Sequence, residues 1–163
     1  MNYTLIMDFE NSYMNFKPSY KDYYIKNNYI DEKTITSEDL FSMILHDIDL
    51  IFSYLKISPN RVGYYYWKDA ILITIFSEKT HLKICNDIYP LIAQKYNRSK
   101  ISIERAMRLS FETAMYDSCK ENNYIVSFLR RYLVNPRNSQ LLMKFVELVT
   151  SIEFRRFKKA QEI

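Results

Sequence analysis

The chain has 163 residues, of which 48% are hydrophobic, so it is long enough to bury a core in one domain and is not disordered throughout. Its single glycine, Gly63, excludes the glycine-rich loops that cradle phosphates, and no apolar run is long enough to cross a membrane. The N-terminus carries acids where a secretory signal carries basic residues. We therefore expect a cytoplasmic protein without a membrane partner.

Charge is distributed unevenly along the chain. Residues 1–50 carry nine acids and four lysines, whereas residues 51–163 carry nineteen basic residues and ten acids. This asymmetry favours a basic body that binds nucleic acid, joined to an acidic appendage. An ordinary solvated surface is the alternative, since the excess of positive charge is not extreme.

The first part of the chain is rich in tyrosine and asparagine and shows no sustained helical period. We predict an acidic, irregular N-terminal extension over residues 1–35, in which Tyr3–Phe9 is compatible with a short strand. The apolar stripes that build a core begin only after Ser37. The extension is therefore expected to be dispensable for folding.

From residue 36 onwards the pattern is helical. Thr36 or Ser37 is suited to cap a helix that carries acids in its first turn and ends near Lys56, before Pro59. The next segment, Tyr64–Phe76, is apolar and β-branched, so its composition is compatible with a buried strand or with a buried helix.

The middle of the chain predicts two helices joined by a short turn. A helix around Leu82–Tyr96 contains Pro90, which predicts a kink or restart near Tyr89. Asn97 is suited to end this helix and Ser99 to cap the next one, which has an apolar side. The opposite side is mainly charged and consists of Ile101, Glu104, Arg105, Arg108 and Glu112. Such an arrangement is typical of a helix-turn-helix that binds DNA, and also of plain core structure.

Two further helices are predicted towards the C-terminus. Tyr124–Tyr132 forms a short amphipathic helix with Arg130 and Arg131 on its outer side. Asn138 or Ser139 then caps a last helix. Its apolar stripe consists of Leu141, Phe145, Leu148 and Ile152. The basic end of this helix, EFRRFKK, is either a solvated last turn or a phosphate contact.

Several of these segments resemble one known family. The run IYPLIAQKYN, followed by IERAM and an arginine, resembles the DNA-binding helix pair in the C-terminal effector domain of the master sporulation response regulator of endospore-forming bacteria. GYYYWKDAI, from Gly63 to Ile71, is similar to the segment that enters the family's second helix. PRNS, from Pro136 to Ser139, is similar to the start of its last helix. The resemblance covers roughly Ile51–Phe157, with the motifs in the same order.

This resemblance implies an all-α fold: a six-helix effector domain over residues 36–163 that contains a helix-turn-helix and binds promoter DNA sequence-specifically. It makes Tyr64–Phe76 a buried helix. The residues expected to face base edges are Ser102, Glu104, Arg105 and Arg108. The residues expected to hold DNA phosphates are Lys95, Arg98, Ser99, Lys100, Asn138 and Ser139. At Ser102 the chain departs from the family, which has an arginine there, so the family's operator sequence does not transfer directly.

Other function classes find little support in the sequence. His46 and His81 are isolated, and Cys85 and Cys119 do not have the spacing of metal ligands, so we expect no metal and two buried free thiols. No catalytic constellation is visible either, so we expect no cofactor and no enzyme activity. The family carries a phosphoaccepting receiver domain before its effector domain, and residues 1–35 are too short for one.

Two functions remain in view from the sequence. The leading hypothesis is a transcriptional regulator that binds double-stranded DNA, alone or as a homodimer. The alternative is a receiver-less interaction module that modulates a full-length regulator protein and binds DNA weakly or not at all.

Overall fold

The structure, a computed structural model, describes residues 19–79, 81–118, 120–132 and 134–162. Within these residues the chain forms eight α-helices and no strand, which confirms the all-α fold class. The predicted strand at Tyr3–Phe9 lies outside the described residues. The helices are α1 (Tyr20–Asn27), α2 (Ser37–Leu55), α3 (Val62–Phe76), α4 (Tyr89–Tyr96), α5 (Lys100–Asp117), α6 (Tyr124–Tyr132), α7 (Asn138–Thr150) and α8 (Ile152–Gln161).

Helix α3 is the centre of the fold. It is buried along almost its whole length and contacts α1, α2, α4, α5 and α7. A helix that is apolar on all sides belongs in the interior, and this confirms the helical alternative for Tyr64–Phe76. Its Trp67 ring meets Phe145 of α7 edge-on at 5.2 Å, and Phe52 of α2 meets the same Phe145 ring at 5.6 Å. Three helices thus share one aromatic core.

The N-terminal segment is not irregular throughout, and the prediction is wrong for α1. Ser19 and Asp22 form a capping box: the Ser19 hydroxyl accepts from the Asp22 amide at 3.2 Å, and the Asp22 carboxylate accepts from the Ser19 amide at 3.0 Å. Tyr24 is fully buried and Ile25 nearly so, because α1 packs against α7 and α3. A helix this short is stable through such packing and not through its own propensity.

A buried carboxylate of α2, Asp47, joins α1 to α8. The Tyr24 hydroxyl and the Lys158 ammonium both donate to one oxygen of Asp47, each at 2.7 Å. The Asp47 side chain is 4% exposed and that of Lys158 is 18% exposed. Burial, reinforced by the Asp47 charge, raises the pKa of Tyr24 far above its ordinary value, so this hydroxyl stays protonated as a donor.

The C-terminal region differs from the prediction in two ways. Arg137 is the residue before α7 and Asn138 is its first helical residue, so neither Asn138 nor Ser139 is the cap. The predicted last helix is also divided, because Ser151 has an extended backbone and its hydroxyl accepts from the Phe154 amide at 3.1 Å, which starts α8. The described chain from residue 37 therefore has seven α-helices where six were expected.

Most other boundaries agree with the sequence. Thr36 caps α2, Lys56 ends it in a left-handed conformation, and α6 spans the predicted residues. Cys85 is exposed, so its predicted burial is wrong, while Cys119 lies outside the described residues. In the part of the chain that the structure describes, no helix could span a membrane, and no cluster of three metal-ligating side chains is present.

Replacing Tyr24 with alanine should destabilise the whole domain. The change removes a fully buried aromatic side chain and one donor to Asp47, so we expect the free energy of unfolding to fall by about 3–5 kcal/mol. The matched control is Tyr23→Ala, since the neighbouring ring is 46% exposed and should matter by less than about 0.5 kcal/mol. Thermal and denaturant melts measure both changes. Equal melts for the two variants would show that α1 is an appendage.

Candidate nucleic-acid interface

The turn between α4 and α5 is built by its own residues. Asn97 ends α4 with φ of 52°, a left-handed conformation that asparagine tolerates better than most residues. The Arg98 amide then donates back to the Ala93 carbonyl at 3.0 Å. Ser99 caps α5 by accepting from the Ser102 amide at 3.1 Å. Both predicted end signals are confirmed, and they fix a three-residue turn, Asn97–Ser99.

The start of α4 is set by Pro90. A single π-helical turn, Ile84–Ile88, leads into α4, which begins at Tyr89. Pro90 lies in the first turn of α4, where a missing amide proton costs no helical hydrogen bond. The predicted restart near Tyr89 is confirmed. Tyr89 and Ile92 are buried, so the short helix is anchored on the core.

The position of α5 depends on its close contact with α3. A Cβ atom on Gly63 would lie 2.3 Å from the Ala106 carbonyl oxygen and 2.5 Å from the Ser110 hydroxyl, so only glycine fits. One turn later, the Trp67 indole N–H donates to the Met107 carbonyl at 2.8 Å. Helix α3 thereby holds the middle of α5 at a fixed distance and orientation.

Asn138 joins three helices at the other side of α5. Its amide nitrogen donates to the Tyr89 hydroxyl of α4 at 3.0 Å and to the Glu104 carbonyl of α5 at 3.2 Å. Asn138 is 5% exposed, and its amide oxygen has no hydrogen-bond partner among the described residues. The side chain therefore braces α4 and α5 from the start of α7 and is almost fully buried.

The predicted two-sided character of α5 is confirmed. Its inner side is formed by buried residues: Ile103, Met107, Ser110, Phe111 and Ala114. Its outer side is formed by exposed residues: Ile101, Ser102, Arg105, Arg108, Leu109 and Glu112. Arg98 and Lys100, at the entry to the helix, are exposed as well.

The four predicted base-reading residues lie in the first half of α5, but they differ in whether they already have a partner within the protein. The Ser102 hydroxyl is 2.9 Å from that of Ser99, inside the cap. Glu104 and Arg108 form an ion pair one turn apart. Arg105 is exposed, and among the described residues it has no ion-pair partner. It is therefore the member of this set with both full charge and freedom to reach outward.

The six predicted phosphate-holding residues are divided in the same way. Arg98, Ser99, Lys100 and Ser139 are exposed, whereas Asn138 is buried. Lys95 is 18% exposed because its ammonium is 2.9 Å from Asp69 of α3, a carboxylate that also accepts from the Tyr96 hydroxyl at 2.7 Å. Burial, aided by Asp69, raises the pKa of Tyr96 and keeps this donor protonated. No sequence signal pointed to Asp69, which lies 26 residues away from its partner.

Sequence reasoning also missed Arg137. It is exposed directly before α7, and with Arg108 and Arg130 it lines a cavity of about 610 Å³ between α5, α6 and α7. Its lining also includes apolar residues, among them Phe111 and Leu129. A basic residue at the entry to the predicted last helix was the available signal.

Comparison with known families decides the relationship. The family model described as Sporulation initiation factor Spo0A C terminal matches residues 48–149, more than half of the chain. The protein belongs to this family. The matched segment includes α3, α4, α5 and α6, whereas α1 and α8 lie outside it. The Spo0A C-terminal family is one of DNA-binding transcription-factor domains and not of enzymes. No solved structure matches the chain.

Replacing Gly63 with alanine should displace α5. Because the new methyl group would collide with a backbone oxygen, we expect destabilisation of about 1–3 kcal/mol, as for other overpacked cores. Val62→Ala, at a neighbouring position that is 58% exposed, is the matched control and should change stability little. Chemical denaturation measures both variants. A Gly63→Ala protein as stable as the control would mean that α3 and α5 are not held in close contact.

Proposed function

We propose that the protein is a sequence-specific DNA-binding transcriptional regulator, in which α4 and α5 form a helix-turn-helix and α5 enters the major groove. The observation that carries the proposal is the exposed, positively charged start of α5, where Arg98, Lys100 and Arg105 surround a helix N-terminus. The positive end of the helix dipole favours phosphate at the same place. Action on chromosomal DNA also requires the cytoplasmic location that the sequence predicts.

The exposed side chains divide into two roles. Arg98 and Lys100, which precede or open α5, are proposed to hold phosphates at the edge of the groove, with Ser99 and Ser139 as neutral donors. Arg105 follows one turn later on the outer side and is suited to donate two hydrogen bonds to a guanine. Arg108, which is paired with Glu104, can exchange that partner for a base or a phosphate.

Two of the predicted contacts have a different role in this proposal. Lys95 neutralises Asp69, and Asn138 braces α4 against α5, so both position the interface and do not contact DNA. A buried carboxylate such as Asp69 needs a partner of opposite charge, and Lys95 beside the turn supplies it.

Two ion pairs near the start of α5 favour one alternative function. With Lys95 and Arg108 in ion pairs, fewer free cations face DNA than the sequence predicted, as expected for an interaction module that binds DNA weakly. Its partner would be a second copy or a full-length regulator. The mass of the protein in solution, measured with and without duplex DNA and with and without such a regulator, separates the two functions.

Selection from a random duplex library tests the leading proposal directly. We expect a short motif to be enriched, and we expect the protein to bind that motif more tightly than a scrambled duplex of equal length and composition. Binding should weaken as salt rises, by about 0.9 units of log affinity per log salt for each neutralised phosphate. A folded protein that enriches no motif and ignores DNA at low salt would contradict the proposal.

Arg105 and Arg98 should differ in what their removal costs. Arg105→Ala should lose about 1–3 kcal/mol on the selected site and relax the preference at one base pair. Arg98→Ala should weaken selected and scrambled duplexes about equally and flatten the salt slope by about one unit. Titrations of both duplexes at several salt concentrations measure the difference. If Arg105→Ala still prefers the selected duplex over the scrambled one by the wild-type margin, α5 does not recognise the bases.

Lys95 should matter for folding more than for binding. Lys95→Ala leaves Asp69, whose side chain is 4% exposed, without its charged partner, so we expect a loss of about 1–3 kcal/mol in unfolding free energy. Lys100→Ala, at an exposed position five residues further on, is the matched control. It should leave the melt unchanged and flatten the salt slope by about 0.9 units. An unchanged melt together with a flatter salt slope in Lys95→Ala would show that Lys95 holds a phosphate.

A further inference from the structure

The first turn of α5 carries an exposed apolar side chain at a place where a polar one would be expected. Ile101 is the second residue of the helix and is 63% exposed. The side chains that follow on the buried side, Ile103 and Met107, are fully buried, so the core of this helix is complete without Ile101. A lone exposed isoleucine is ordinary on a protein surface, and its position is what gives it meaning here.

Ile101 lies on the same side of α5 as Arg105. Residues four apart on a helix are neighbours on its surface, so the two side chains project together. Arg98 and Lys100, close by in the chain, are exposed as well, so an exposed apolar side chain lies among positively charged ones at the start of α5. A surface that combines cationic and apolar side chains matches the major groove of DNA, where phosphates line the edges and thymine offers a methyl group.

The other uncharged side chain exposed in the first turn, that of Ser102, is less suited to an apolar contact. Ser102 is small, and its hydroxyl is held by that of Ser99 at 2.9 Å, within the cap. Ile101 is therefore the larger of the two uncharged side chains exposed in the first turn of the helix. In a helix-turn-helix bound to DNA, the N-terminal residues of the second helix contact the base edges.

We infer that Ile101 is a specificity-determining residue, which packs against the C5-methyl group of a thymine beside the base pair that Arg105 reads. The inference rests on the proposed function, because it requires α5 to enter the major groove. It adds an apolar contact to the polar ones, so that the preferred site combines a guanine with a neighbouring thymine.

Replacing thymine with uracil removes this methyl group and nothing else. On the site selected from the random library, each thymine is exchanged for uracil in turn, and affinity is measured for each duplex. At one thymine beside the guanine we expect the wild-type protein to bind about fourfold more weakly, the equivalent of one buried methyl group at about 0.8 kcal/mol. At that position Ile101→Ala should bind the thymine and uracil duplexes equally.

Leu109→Ala is the control variant. Leu109 is 54% exposed on the outer side of α5, but it lies about 12 Å further along the helix axis, so this variant should keep the wild-type penalty for uracil. Melting curves of both variants should match the wild type, since both side chains are exposed.

Three results would overturn the inference. They are a selected site without a thymine next to the guanine, a wild-type protein indifferent to every uracil, and a penalty that persists in Ile101→Ala. In each case selective DNA binding, and with it the proposed function, would stand. Failure to select any duplex would overturn the proposed function and this inference together.

Discussion

The close approach of α3 to α5 is the constraint on which the candidate interface depends. The Ala106 carbonyl lies where a Gly63 side chain would begin, and the Met107 carbonyl accepts the Trp67 indole proton. Both contacts are made to the backbone of α5, so they hold the helix whatever its outer side chains are. The same Trp67 ring packs on Phe145, so α5 is held in position by the aromatic core.

The polar groups around α5 do two kinds of work. Asp69 and Lys95 are largely buried and pair with each other, which joins α3 to α4, and the buried Asn138 amide nitrogen joins α4 to α5. Arg98, Lys100 and Arg105 remain exposed, and their charges are available to a partner. The residues that hold the helices together are thus different from those that are exposed to a partner, so the exposed residues can change without loss of the fold.

Local signals were sufficient for most of the fold. Caps such as Thr36, Ser99 and Asn97 act through bonds within a few residues, and the sequence therefore reveals them. Burial of Asn138 and pairing of Lys95 with Asp69 depend on contacts 26 or more residues apart, which no periodicity records. Helix α1 is the exception among the local signals: its Ser19 and Asp22 form a capping box, but the tyrosine-rich segment has no sustained helical period to accompany it.

The pair of Asp47 and Lys158 has a consequence for how the domain is delimited. Asp47 lies one residue before the segment that matches the family, and Lys158 lies nine residues after it. A fragment trimmed to residues 48–149 would lose both charges together with α1 and α8, and it would open to water the sides of α3 and α7 that α1 covers. A chimaera that keeps these contacts carries the chain from Ser19 to Gln161.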